Sequence, residues 1–343
     1  MTSPPPAAHG RRHRTLPTPT GELHVVEQGT GPLVVLLHGF PETWRAWRRQ
    51  LGSLAAAGFQ VAAPDLRGCG RSSVPADVGD LRMTAMVDDV VTVVHGLGHE
   101  TAVVVGHDVG APIAATAALL RPDVVRAVGL LGVPYNPPGG PRPTEAFAQV
   151  GGPGADFYVS WFQQPGRAEA DVARDPRGWL AGFARGLDGP THTSPGPDGL
   201  FFVPAGARMS DRFPAGPLPS WLSEADLDGT VEDLARTGIA GALGRYRNAD
   251  RDWADLAPHA GARLTQPAVF IGGELDATTT WMADAIAALP EVVPGLRSST
   301  LLPGCGHWVQ QERPEDVDRL LVDWLRDLPD AGPTAGAAVS SPG

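Results

Sequence analysis

Six short apolar runs, each cut off by Gly or Pro, constrain this chain more than any other feature. They are residues 33–37, ending in His38-Gly39; 60–63, ending in Pro64-Asp65; 101–105, ending in Gly106; 125–131, ending in Gly132; 268–271, ending in Gly272-Gly273; and 299–302, ending in Pro303-Gly304. Continuous, largely β-branched runs of this length signal strands buried on both faces, which is the condition of a parallel sheet. Helix-like stretches lie between them, notably 72–97, whose periodic part is 83–97, and 111–120. This alternation predicts an α/β architecture: a mostly parallel central sheet with helices on both faces.

The rhythm breaks from about 135 to 250. That region is rich in Gly, Pro, Trp and Phe, shows no buried-strand run, and carries helix-like pieces such as 169–174 and 224–237. It reads as an inserted, mostly helical cap over the sheet. The expected organisation is a flexible tail (1–15), a first core segment (16–134), the cap (135–250), a second core segment (251–330) and a flexible tail (331–343).

Composition narrows the chemistry. The formal net charge is −11, and all 27 basic residues are arginine. Without lysine there is no Schiff-base chemistry and no P-loop, and the arginine usage fits a GC-biased genome. The acidic balance argues against nucleic acid or an anionic membrane surface as partner. Two distant cysteines, Cys69 and Cys305, make no disulfide framework, and neither Cys-x-x-Cys nor His-Glu-x-x-His occurs. The Pro- and Arg-rich N-terminus (1–20) lacks the apolar core of a signal peptide, and no apolar run approaches a membrane span. The expectation is a cytoplasmic monomer or homodimer that needs no cofactor and no metal.

In an open parallel sheet, ligands bind beyond the carboxyl ends of the strands, so the loops after each run are the ones to inspect. Val105-Gly106-His107-Asp108-Val109-Gly110 lies directly after a strand and directly before a helix. Small residues flanking a strained turn let one side chain project alone above the sheet, the geometry of a nucleophile elbow. Here that side chain is Asp108, where esterases place serine. His38-Gly39-Phe40-Pro41-Glu42 follows the first run. A turn there can present the Phe40 backbone N–H which, with that of Val109, would form an oxyanion hole. His38 reads as structural, and Glu42 as a first-turn helix residue. Two later loops hold Glu274, Asp276 and His307. The order nucleophile, acid, histidine suits a base with an orienting carboxylate. Either Glu274 or Asp276 fits by position; Asp276, farther out in its loop, is preferred.

With these motifs the chain resembles the epoxide hydrolases of the α/β-hydrolase fold, over roughly residues 16–328. The resemblance rests on His38-Gly39-Phe40-Pro41-Glu42, Gly106-His107-Asp108-x-Gly110 and Gly304-x-Gly306-His307-Trp308. In the cap, the stretch from Asp156 to Gly166, containing Tyr158-Val159-Ser160-Trp161-Phe162, and Arg245-Tyr246-Arg247-Asn248 resemble the family's two tyrosine-bearing segments. The resemblance implies that Tyr158 and Tyr246 hydrogen-bond the epoxide oxygen. Trp161, Phe162 and Trp308, inside the same motifs, are expected to line the substrate pocket. One departure is plain: the family usually has Trp after the nucleophile, and this chain has Val109. Only three tyrosines occur against 10 Phe and 9 Trp, and two of the three fall at these cap positions. A phenol is needed only where its O–H has a task.

The implied reaction turns a small-molecule epoxide and water into a vicinal diol. Asp108 attacks an epoxide carbon while Tyr158 and Tyr246 donate to the opening oxygen. His307, oriented by Asp276, then activates water against the ester on Asp108. The same aspartate would serve a haloalkane or haloacid dehalogenase. Relatives of those kinds place Trp or Asn, or arginines, where this chain has Val109, Phe40 and Ile113. A non-catalytic small-molecule receptor on the same fold is the alternative from another class, though every expected catalytic position is filled here.

Overall fold

The computed structural model describes residues 10–191 and 194–329. Eight strands form one sheet in the order β1-β2-β4-β3-β5-β6-β9-β10. They are β1 (Arg12–Thr18), β2 (Gly21–Gln28), β3 (Leu33–Leu37), β4 (Gln60–Pro64), β5 (Ala102–His107), β6 (Val125–Leu131), β9 (Ala268–Gly273) and β10 (Leu296–Leu302). β2 runs antiparallel to both β1 and β4, and every other pairing is parallel.

Period-two alternation sends neighbouring side chains of each strand to opposite faces. Val35, Leu37, Val104, Leu130 and Phe270 pack on one face against Val90 of the helix Met83–Gly96 and Ile113 of the helix Gly110–Leu120. Val34, Leu36, Val103, Val105 and Ile271 pack on the other against Leu51, Leu54 and the helix Pro314–Arg326. Burying each such side chain contributes roughly 1.5–3 kcal/mol. A strand with both faces covered has no polar side to show, which is why these runs are continuous.

The sheet's edges depart from expectation. β10 was expected to be buried on both faces, but it pairs only with β9 and its Ser298, Ser299 and Leu301 are exposed. At the opposite edge, Arg12–Thr18 is a strand, so the flexible-tail reading of 1–15 fails over residues 12–15. Polar residues alternating along β1 and β2 hid both from a search for continuous apolar runs. The tail expected at 331–343 lies outside the described residues.

The chain switches direction across the sheet between β3 and β5. β4 follows β3 in sequence but sits on its far side, whereas β5, β6 and β9 build outward the other way. Leu37 is registered with Gly106, so the turns after these two strands open side by side. The inserted helical region occupies the chain between β6 and β9. It holds the helices Pro143–Gly151, Tyr158–Gln163, Arg167–Val172, Pro176–Gly186, Glu224–Thr237 and Ala240–Arg247. It also contains a two-stranded ribbon, β7 (Ala155–Phe157) with β8 (Phe202–Pro204), too short to register in the sequence pattern. Its interior is rich in aromatic rings, among them Trp161, Phe162, Trp179, Phe183 and Phe202, and closes onto Phe40, Ala277 and Trp308 of the sheet side. No helix among the described residues is long and apolar enough to cross a membrane.

Candidate active site

Asp108 stands at the switch between β3 and β5, with φ of 50°, the single non-glycine residue at positive φ among those described. That conformation costs a non-glycine residue about 1–3 kcal/mol and persists only where its surroundings dictate it. Here they do. A Cβ at Gly106 would lie 2.0 Å from the Gly110 carbonyl oxygen, and one at Gly110 would lie 2.3 Å from that of Leu37. A Cβ at Gly39 would meet that of Asp108 at 2.6 Å. Three glycines thus let three backbones converge beneath one carboxylate.

That carboxylate has two partners. Oδ1 accepts from the Phe40 N–H at 2.9 Å, and Oδ2 lies 3.4 Å from His307 Nε2. Of the two backbone donors expected, only Phe40 is hydrogen-bonded to it. His307 Nδ1 is 2.9 Å from Asp276 Oδ2. Asp276 is 2% exposed and is fixed by its other oxygen, which accepts from the Thr278 N–H and caps the helix Ala277–Trp281. Glu274 instead accepts from the Gly304 N–H. The loop therefore turns Asp276, and not Glu274, toward His307.

Charge settles around this triad in one pattern. Burial alone would push Asp108 up, but the hydrogen bond and charge of His307, with His107 and the Phe40 N–H, hold it below the usual carboxylate range. Burial would lower His307, yet Asp276 and Asp108 together raise it well above an ordinary imidazole. The free site therefore favours a carboxylate beside an imidazolium.

Tyr158 opens the helix Tyr158–Gln163, and Tyr246 lies on the helix Ala240–Arg247. Their rings meet edge to face with centroids 6.0 Å apart. Among the described residues neither hydroxyl has a hydrogen-bond partner, although the surrounding backbone is pinned: the Tyr158 N–H donates to Phe201 O, and Gln163 Nε2 to Tyr246 O. Burial raises both phenols above their ordinary value, and the Asp108 charge adds to the effect. Both stay protonated donors. The Phe40 ring meets Tyr246 at 5.3 Å and Phe162 at 5.2 Å, so one residue carries a backbone donor to Asp108 and a side chain into the inserted helical region.

The three expected pocket residues separate. Phe162 packs against Phe40, Tyr158 and Tyr246, directly behind the phenol pair. Trp308 meets the His307 ring edge to face at 5.0 Å and donates from its indole to Ala184 O. Trp161 points elsewhere: it is 1% exposed, packs on Phe162, and lies under the Arg167 guanidinium. One helical turn carries both rings, and spacing alone does not say which faces the site.

Glu42 was read as an ordinary first-turn residue, and the structure corrects this. It is 9% exposed; Oε2 accepts from the Gly39 N–H and faces His107 Nδ1, each at 3.0 Å, while Oε1 accepts from Gln311. His107 Nε2 faces the His307 carbonyl at 2.9 Å. Both His107 nitrogens thus face oxygens, one of Glu42 and one of the His307 backbone. This chain ties the Phe40 turn to the backbone of His307. Its sequence signal, a Glu and a His beside two motif glycines, has no spacing that announces it. His38 is structural as expected: it donates from Nδ1 to Gly39 O, accepts at Nε2 from Leu66, and is kept neutral by burial.

Comparison with known proteins agrees with this geometry. Residues 32–314 match the α/β hydrolase fold family. Epoxide hydrolase B of Mycobacterium tuberculosis is 39% identical across 92% of this chain and 98% of its own. Among solved structures, an epoxide hydrolase from an endophytic Streptomyces superposes with TM-score 0.90 at 60% identity, covering 92% of this chain and 96% of that one. Epoxide hydrolase A from Mycobacterium thermoresistibile superposes with TM-score 0.87 at 40% identity, covering 93% and 99%. By its elbow, its helical insertion and these relatives alike, the chain belongs to the epoxide hydrolases of the α/β-hydrolase fold.

Proposed function

We propose that the enzyme opens its epoxide through a covalent ester on Asp108. One carboxylate oxygen attacks an epoxide carbon, the C–O bond breaks, and its electron pair goes to the departing oxygen. Tyr158 and Tyr246 of the cap, taken as residues 135–250, stabilise that oxygen by hydrogen bonding and supply its proton. The observation that carries this reading is the pairing of two unengaged phenols with a carboxylate projected alone from a glycine-built turn.

Ester formation also prepares the second step. Asp108 loses its charge when alkylated, removing one of the influences that raise His307. Opposite charges about 4 Å apart interact by roughly 4 kcal/mol at an effective dielectric near 20, so the change favours neutral imidazole. His307, still aligned by Asp276, takes a proton from water, and the hydroxide adds to the ester carbonyl carbon. The oxyanion is held by the Phe40 N–H, joined by that of Val109. Collapse expels the second diol oxygen, which takes the proton held by His307. The carboxyl proton left on Asp108 restores the phenol, so the diol leaves and the water oxygen stays in Asp108.

Mass spectrometry tests the scheme. In His307→Gln, substrate should leave a stable adduct on the Asp108 peptide, and single turnover in labelled water should label wild-type Asp108 and not the first diol. Label in that first diol would mean direct attack of water on the epoxide.

A further inference from the structure

Arg245 is the cation that the mechanism above does not use. It precedes Tyr246 on the helix Ala240–Arg247. Two residues on, Arg247 is satisfied by a two-pronged pair with Glu169, at 2.7 and 3.0 Å. Arg245 has no such pair. Among the described residues its buried Nε has no hydrogen-bond partner, and its one hydrogen bond is a long 3.5 Å contact from Nη1 to the carbonyl of Val109, the residue after the nucleophile. A guanidinium carries five N–H donors, and leaving the buried Nε–H unpaired is costly.

The nearby anions do not meet that need. The carboxylates of Asp252 and Asp108 act on Arg245 through their charge, but among the described residues no carboxylate lies within ion-pair distance of it. Asp252 is occupied by the Met83 N–H. Both Asp108 oxygens are engaged by Phe40 and His307, and esterification would remove that charge altogether. The guanidinium therefore has spare donors before and after alkylation, in a wall shared by the elbow and the helix that carries Tyr246.

We infer that Arg245 is a specificity-determining residue that receives the carboxylate of an acid-bearing epoxide. This rests on Asp108 and Tyr246 flanking the substrate. A planar carboxylate fits the guanidinium fork with two parallel hydrogen bonds, and on a chain of net charge −11 a local cation is what draws an anionic substrate inward.

The test uses terminal epoxyalkanoates of increasing chain length, their primary amides, and styrene oxide as a neutral control. At the best length, wild type should prefer the carboxylate over its amide by about tenfold in kcat/KM, the equivalent of ~1.4 kcal/mol. Arg245→Met should erase that preference through KM, leaving amide and styrene oxide turnover unchanged, and Arg245→Lys should retain part of it. Absence of any carboxylate preference in wild type would overturn the inference. So would Arg245→Met slowing all three substrate types alike, since Arg245 would then serve Asp108 or the cap's packing. Binding of simple alkanoates against matching alcohols to wild type, read by calorimetry, needs neither a folded variant nor turnover. Equal binding of the two sinks the inference whatever the fate of the catalytic assignments, and tighter alkanoate binding supports it even if the covalent scheme fails.

Discussion

The two halves of the site are built by opposite means. On the sheet side, backbone leaves almost no freedom: Gly39, Gly106 and Gly110 each exclude a Cβ, and Asp108 is held at positive φ between them. On the cap side, the tyrosines are placed by ring packing among Phe40, Phe162 and Phe201, and their hydroxyls are left unengaged. The rigid half fixes the Asp108 carboxylate against the His307 ring. In the proposed reaction the first would be the nucleophile and the second the base, and the aromatic half would present its two phenols to the epoxide oxygen. If this division is functional, sheet-side and cap-side substitutions should injure different steps.

The largest effect is expected from Asp276→Asn, which should lower hydrolysis of the Asp108 ester by about 10⁴-fold, as losing the orienting acid does in a catalytic triad, while leaving alkylation largely intact. Pre-steady-state kinetics resolves the two rates, and equal loss in both would erase the division. The cap-side counterpart is the reverse. Tyr158→Phe or Tyr246→Phe alone should slow alkylation roughly 10²-fold, by analogy with one oxyanion donor, with the double variant far worse and ester hydrolysis spared. A double variant that alkylates at the wild-type rate would make these rings packing residues.

A smaller effect should come from Glu42→Gln. The new amide must place its NH2 either toward the Gly39 N–H and His107 or toward the Gln311 amide, so one donor that Glu42 now satisfies, Gly39 N–H or Gln311 Nε2, is left facing another donor. A buried loss of this kind costs about 1–3 kcal/mol. Calorimetry should show a lower Tm, and the hydrolysis rate should fall more than alkylation. The least dramatic test is pH. Asp108 lies below the usual carboxylate range, so the acid limb of alkylation should sit at low pH. His307 is raised in the free enzyme by both Asp276 and Asp108. Ester hydrolysis needs the neutral ring, and with Asp108 esterified its limb should fall below the titration of His307 observed by NMR in the free enzyme. Coincident values would show that Asp108 has no hold on His307.

The same contrast explains what could be read in advance. Strands β3, β5, β6 and β9 were legible because burial on both faces forces continuous apolar sequence, whereas β1, β2 and β10 sit at or next to edges where polar residues are permitted. Asp108 stood out because the elbow demands small residues at Gly106 and Gly110, a steric rule that leaves a mark in sequence. The choice between Glu274 and Asp276 was made by the loop's path, and the hidden part of Glu42 by a tertiary contact 65 residues away in the chain. Trp161 and Phe162 show the limit on the cap side. Neighbours on one short helix share composition and spacing, and only the packing partner separates the ring behind the tyrosines from the ring in the interior.

Phe40 bears on how such enzymes can diversify. In chain terms the cap is an insertion between β6 and β9, the kind of segment that recombination could exchange whole. Yet the Phe40 ring is seated among Phe162, Trp179, Phe183 and Tyr246 of the cap while its own amide reaches Asp108. A transplanted cap that reshaped this socket would drag on the turn beneath it and disturb an atom in contact with Asp108. The inserted segment is therefore not a free module: its outer surface can drift with little penalty, but the patch that grips Phe40 must be inherited together with the sheet it covers.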